Sequence, residues 1–187
     1  ENSYNLDLYK KRLRKYKHTG HVVGSIVMNC NPFTLGHRYL VEQACERSHW
    51  VHLFVVKEDA SFFTFQDRYK LICEGLEDLQ NLTIHEGSDY IISKATFPTY
   101  FIKDKRQIDS LYTELDLNIF RNHLAPQLGI THRYVGEEPL CAVTNEYNEQ
   151  MKKLLAAPGE FPPIEVVVLG RIEYGGEPIS ASRVRKL

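Results

Sequence analysis

The residues best suited to chemistry form one short run, Asn31-Pro32-Phe33-Thr34-Leu35-Gly36-His37, between an apolar stretch and a helix-like stretch. Pro32 stiffens a turn there, and Gly36 lets the backbone approach a ligand with no Cβ in the way. A helix that begins at Gly36 aims its free N–H groups at the same ligand, which makes an anion site. Thr34 adds a hydroxyl and His37 an imidazole in the first turn. A phosphorus atom under in-line attack gathers charge on its equatorial oxygens, and donors of this kind stabilise that charge without forming a covalent intermediate. Met28, Asn29, Asn31 and Phe33 frame the turn and are counted with it as nucleotide-binding candidates. Taken alone, the run reads equally as a plain strand-to-helix turn with a surface histidine.

A second run supplies the complement. Ile179-Ser180-Ala181-Ser182-Arg183-Val184-Arg185 opens a last helix. Ser180 has the residue type of an N-cap, the structural alternative. Ser182 and Arg185 stand three apart on one helical face beside the free amides, an arrangement suited to a triphosphate tail and a leaving pyrophosphate. Arginine in a first helical turn opposes the helix dipole, so a bound anion would give it a purpose.

These runs need elements to position them. The chain has 187 residues, 43% hydrophobic and 25% charged, which fits one soluble α/β domain. Its net charge of −1 does not point to nucleic acid. No apolar run approaches the ~20 residues of a membrane span, and the start lacks a signal-peptide core. Four dispersed cysteines, Cys30, Cys45, Cys73 and Cys141, predict free thiols in a reducing compartment, with the cytoplasm as the expected location. A start at Glu1 without methionine and an end just inside a helix lead us to expect a fragment.

Residues 5–17 are a basic lead-in helix with Leu6, Tyr9, Leu13 and Tyr16 at helical spacing, read as a solvated face or a linker helix. From residue 21 on, strand and helix signals alternate. Strands are predicted at Val22–Met28, Val51–Val56, Leu82–His85, Arg133–Val135 and Ile164–Leu169. Helices are predicted at 36–48, at Gln66–Leu79 on Tyr69, Leu71, Ile72 and Leu76, through most of 97–124 with Leu115 among its apolar positions, and at Glu146–Ala156. The last strand reads as a near-continuous apolar run of the sort buried on both faces. Such alternation predicts a parallel sheet with helices on both faces, and ligands outside the carboxyl ends of its strands. Asn29–His37, Lys57-Glu58, Gly136-Glu137-Glu138 and Ile179–Arg185 all follow strands, so they are expected at one edge.

Thr-x-Gly-His after the first strand and Ile-Ser-x-Ser-x-x-Arg after the fifth resemble the paired motifs of the nucleotidyltransferase α/β-phosphodiesterase superfamily. The resemblance implies a Rossmann-like five-stranded sheet of order 3-2-1-4-5 and attack on the α-phosphate of ATP with release of pyrophosphate. Thr34 stands where many members carry a first histidine, and Ala181-Ser182 replaces Ser-Thr. From about residue 22 onward the chain is more narrowly similar to the C-terminal domain of citrate lyase ligases. The similarity is carried by Met28-Asn-Cys-Asn-Pro-Phe-Thr-Leu-Gly-His37, Ser93-Lys-Ala-Thr-Phe-Pro-Thr-Tyr-Phe101, Arg133-Tyr-Val-Gly-Glu-Glu-Pro139 and Ile179–Arg185. An acetyltransferase-like domain usually precedes it in that family.

The family resemblance implies that acetate attacks ATP to give acetyl-adenylate, and that the acetyl group then passes to the thiol of a phosphopantetheine-type arm on the citrate lyase acyl carrier subunit. Mg²⁺ would accompany ATP, held by phosphates and water rather than by a protein cage. Thr34 and His37 are then expected at the α-phosphate, and Ile179, Ser180, Ser182 and Arg185 at the β- and γ-phosphates. Gly136 would admit the adenosine. Glu137 is open to a ribose or to water, and Lys57 to the reacting centre or to solvent. Arg68 is expected to pair locally with Asp67 or Glu58. Phe97, Tyr100 and Phe101 read as core before acyl pocket. His123 and His132, in a helix end and a loop, have no partner at metal-ligand spacing, and nothing near Cys30 activates it. An adenylyltransferase of pantetheine-phosphate or nicotinate mononucleotide type, or a non-catalytic nucleotide-binding module, would share these motifs.

Overall fold

The computed structural model describes residues 2–57, 62–88, 90–91, 110–137, 142–170, 173–174 and 177–178. Five parallel strands form the central sheet: β1 (Val23–Met28), β2 (Trp50–Val55), β3 (Leu82–Glu86), β4 (His132–Gly136) and β5 (Glu165–Leu169). Their order is β3-β2-β1-β4-β5, as the resemblance implies, and all are parallel, as the alternation predicts. A short antiparallel ribbon, β6 (Glu173–Tyr174) with β7 (Glu177–Pro178), follows the sheet.

Side chains alternate across the strands and split the core into two layers. On one face Ile26, Val51, Leu53 and Val55 pack with Val41 and Ala44 of α2 (Leu35–Arg47) and Ile72 of α3 (Phe65–Gly75). On the other, Val23 and Phe54 pack with Tyr9 and Leu13 of α1 (Asn2–Arg14), Leu117 of α4 (Ser110–Ile119) and Met151 and Leu155 of α6 (Ala142–Ala156). A π-helical turn, Phe120–Leu124, joins α4 to the short α5 (Ala125–Leu128), which Gly129 ends with φ 68°. The basic lead-in helix is thus docked on the sheet by Tyr9 and Leu13, while Leu8 and Tyr16 stay exposed.

Several expectations change. The third predicted helix ends at Gly75 rather than Leu79, and Leu71 and Leu115 are exposed at 42% and 44%, because their helices turn a narrower stripe to the sheet. β5 is not buried on both faces: it is the sheet edge, and Val168 stays 39% exposed. His132 sits in β4, not in a loop, with Nε2 2.9 Å from Glu165 of β5. The predicted helical residues 97–109 lie outside the described residues.

Candidate active site

The strand order reverses between β1 and β4, and the two strands barely pair there. β1 meets β2 over six residue pairs, Val23↔Trp50 to Met28↔Val55, but meets β4 only at Gly24↔His132 and Ser25↔Arg133. Beyond those pairs the carboxyl halves of the two strands share no ladder pair, and this switch point is where doubly wound sheets have the crevice that takes their ligands. Asn29–His37 leaves β1 on one side of it. Gly136 and Glu137 leave β4 on the other, with the Glu137 N–H donating to the Leu169 carbonyl at 2.8 Å and Asn148 Nδ2 to the Gly136 carbonyl at 3.3 Å.

Thr34 is the N-cap of α2 and is 8% exposed. Its backbone N–H donates to His37 Nδ1 at 2.9 Å, its Oγ1 lies 2.9 Å from the same nitrogen, and its Oγ1 accepts from the His37 N–H at 3.4 Å. This is a capping box in which histidine holds the N3 place usually given to Glu or Gln. With Nδ1 accepting from the backbone, the neutral ring carries its proton on Nε2, which makes that nitrogen the donor. The Phe33 ring stacks on the imidazole with centroids 6.0 Å apart, and a Cβ on Gly75 of α3 would collide with Phe33. Arg38, the next residue of α2, is already engaged: it meets Asp78 at 2.8 and 2.7 Å and Glu42 at 3.0 Å.

The turn is held from below by a residue that the sequence left with a local role. Arg68 is fully buried and donates to the carbonyls of Asn29 at 2.8 Å, Val56 at 2.9 Å and Phe63 at 3.1 Å. Asp67 instead accepts no described bond from it; its backbone N–H is capped by Thr64 Oγ1. Arg68 therefore pins the ends of β1 and β2 to the segment before α3, and Asn31 Oδ1 adds to this by accepting from the Phe63 N–H at 2.8 Å. The sequence signal for Arg68 was its place on the apolar stripe itself, four residues before Ile72 on the same helix face. Cys30 takes a left-handed backbone, φ 54°, and its buried Sγ contacts Met28 Sδ at 3.6 Å. Burial pushes the Cys30 thiol far above its ordinary range, only partly countered by Arg68, which disfavours the thiolate that a nucleophile needs.

Asn29 Oδ1 is buried with no hydrogen-bond partner among the described residues. Lys57 follows β2 and is exposed, beside Val56, whose N–H donates to the Met28 carbonyl at 2.9 Å. Thus Met28, Asn29, Asn31, Phe33, Thr34, Gly36, His37, Lys57, Gly136 and Glu137 gather at one edge of the sheet. Ile179, Ser180, Ser182 and Arg185 lie outside the described residues, as do Glu58, Glu138, Cys141 and the segment from Ser93 to Phe101. Among the described residues no three His, Cys, Asp or Glu side chains cluster to hold a metal ion, and no helix is long and apolar enough to cross a membrane. Cys30, Cys45 and Cys73 are free thiols.

A parallel sheet of this order, with a capped Thr-x-Gly-His turn at its reversal, has the fold of a Rossmann-like domain of the nucleotidyltransferase kind. Its fold is similar to that of a pantoate-beta-alanine ligase from Francisella tularensis, solved with beta-gamma ATP and beta-alanine, at TM-score 0.57 and 13% identity over 95% of this chain and 71% of that one.

The family model described as the citrate lyase ligase C-terminal domain matches residues 23–187, and the chain belongs to that family. It is 57% identical over 182 residues to the [Citrate [pro-3S]-lyase] ligase of Klebsiella pneumoniae, covering 97% of this chain and 53% of that protein. Against the Escherichia coli K12 ligase the identity is 54% over 183 residues, 97% of this chain and 52% of that protein. The chain spans about half the length of these curated relatives.

Proposed function

We propose that this chain is the adenylylating part of an ATP-dependent ligase that activates acetate for citrate lyase, with residues 21–187 as the nucleotidyltransferase domain. In the first step an acetate oxygen attacks the α-phosphorus of ATP; a new O–P bond forms, the bond to the β-phosphate oxygen breaks, and acetyl-adenylate and pyrophosphate result. In the second, the thiol of the carrier's phosphopantetheine-type arm attacks the acetyl carbon. The thioester forms, AMP leaves with the shared oxygen, and the thiol proton is released. A free carboxylate is a poor acyl donor, and AMP supplies the leaving group. The cytoplasm is the compartment proposed for this reaction.

The observation that carries this reading is the His37–Thr34 capping box at the mouth of the β1–β4 crevice. It fixes a neutral imidazole with its donor on Nε2, pre-set for charge developing on the α-phosphate, where a fixed donor acts without reorganising. The Thr34 hydroxyl adds a second polar group, and Gly36 keeps the approach open. Lys57 is assigned as a cation at the reacting centre, and Gly136 and Glu137 to the adenosine side. The orphan Asn29 Oδ1 suits a ribose hydroxyl or a bound water. Ile179, Ser180, Ser182 and Arg185 are assigned to the β- and γ-phosphates. Mg²⁺ neutralises the triphosphate when bound and is carried by phosphate and water, so no side chain is assigned to it.

Acetate-dependent exchange of labelled pyrophosphate into ATP by the full-length polypeptide tests the proposal. Exchange with acetate, abolished by His37→Ala while ATP binding falls much less, is the expected result. Exchange only with nicotinate mononucleotide or phosphopantetheine would make it an adenylyltransferase of another kind. ATP binding without turnover on any acceptor would make it a binding module.

A further inference from the structure

The β1–β4 crevice is not the only way to the sheet edge. On the opposite side of β1, a furrow of about 210 Å³ runs between α1 and the carboxyl ends of β2 and β3, with Leu8, Arg12, Lys57, Glu86, Gly87 and Ser88 on its walls. Gly87 makes its floor: the Gly87 N–H donates to the Val55 carbonyl at 2.7 Å, and a Cβ there would run into that carbonyl and the Lys57 backbone. A second hollow of about 240 Å³ shares Arg12 and Glu86 and continues along α1 past Leu13, Tyr16 and Ile84. Tyr9 divides the two and is locked, its hydroxyl donating to the Glu86 carbonyl at 2.9 Å. The Arg12 guanidinium rests 5.8 Å from the Tyr9 ring centroid and so stays at the furrow's rim.

Arg12 and Lys57 have no ion-pair partner among the described residues, and the one described carboxylate on these walls is Glu86. The furrow leads to Lys57 beside the end of β1, and among the described residues on its walls the two cations Arg12 and Lys57 outnumber the one carboxylate, Glu86. Those features fit an extended ligand with an anionic group at one end and its reactive group at the other. A nucleoside triphosphate in the β1–β4 crevice would approach from the other side, so two ligands can reach one point without crossing.

We propose that the furrow under α1 is the channel for a phosphate-bearing thiol arm, with Arg12 on the arm's phosphate and the thiol delivered past Gly87 to Lys57. This deepens the ligase reading and rests on it. The basic residues of α1 then serve to receive the phosphate-bearing arm with its free thiol rather than merely to keep a helix in water.

The experiment uses free thiols as acceptors for the full-length polypeptide: phosphopantetheine, and pantetheine, which lacks the phosphate. Arg12→Gln is expected to raise the KM for phosphopantetheine roughly tenfold, to leave pantetheine unchanged, and to leave acetate-dependent pyrophosphate exchange unchanged. Leu8→Trp, which narrows the furrow at an exposed position, is expected to raise the KM for both thiols and spare exchange. Equal effects of Arg12→Gln on the two thiols, no effect on either, or a loss of exchange would each overturn the proposal. Absence of acetate-dependent exchange in the unmodified protein would instead overturn the ligase reading, so the two failures are told apart.

Discussion

The Thr34 backbone N–H and His37 Nδ1 are 2.9 Å apart, and this one bond sets both where α2 begins and which nitrogen of His37 carries the proton. The cap and the proposed catalytic donor are therefore the same two residues. Thr34→Ser keeps the hydroxyl and should retain stability and exchange. Thr34→Val should cost about 1 kcal/mol of stability, the usual worth of an N-cap, and lower kcat for exchange more than the stability loss explains. Urea denaturation beside exchange kinetics separates the two effects, and equal activity of both variants would deny the hydroxyl a role.

Arg68 is expected to be the most costly single truncation at the site. Arg68→Ala strips donors from three carbonyls and leaves a buried void, so a loss on the order of 3 kcal/mol follows. Arg68→Lys should recover part of this, since an ammonium cannot span three carbonyls in a fork. Urea midpoints measure it, and a loss below about 1 kcal/mol would show that the clamp is dispensable.

Acid should loosen the domain through two histidines remote from the crevice. His52 Nδ1 and His85 Nε2 are 2.9 Å apart, so one ring must donate and the other accept. His18 faces His52, Tyr16, Phe54 and Arg12 surround His85, and the backbone of Glu86 follows it. Burial, with the other cations adding to it, pushes His52 down to about 3 and His85 down to about 4 from an ordinary 6.5. Folded-state values below the unfolded ones mean that the unfolded chain binds more protons in acid. Stability is then full above about pH 6.5 and falls as pH drops toward 4, by on the order of 2 to 4 kcal/mol at about pH 5. Urea midpoints across this range check it, and His52→Phe should flatten the slope.

Cys30 should be chemically silent. Cys30→Ala is expected to keep acetate-dependent exchange within about twofold, and a thiol reagent added to the native protein should label it only on unfolding. Loss of exchange without loss of stability would instead implicate the thiol in the adenylylation step.

The sheet was readable because parallel strands buried between helices must be apolar, and Val22–Met28 and Val51–Val56 are. The Thr34–His37 turn was readable as a candidate site because glycine, threonine and histidine crowd into four residues. What the sequence concealed was mutual contact. Thr34 and His37 read as two donors for a ligand, although their N-cap and N3 spacing was the visible sign that they also bind each other. Arg68 looked like one more charged residue on a helix, and only the fold brings the carbonyls of Asn29, Val56 and Phe63 around it. His52 and His85 lie on different strands, so no spacing announces their pairing. Val168 misled for the opposite reason: apolar character does not say whether a strand is central or last.

Arg68 and the Asn31–Phe63 bond have one more consequence. Together they fasten the Asn31–His37 turn to β2 and to the start of α3, so the turn cannot loosen while the rest of the sheet stays intact. Its ordering entropy is lost when the domain folds, not when a nucleotide arrives. The Phe63 amide, though outside any helix or strand, should then exchange its hydrogen with solvent about as slowly as amides inside the sheet.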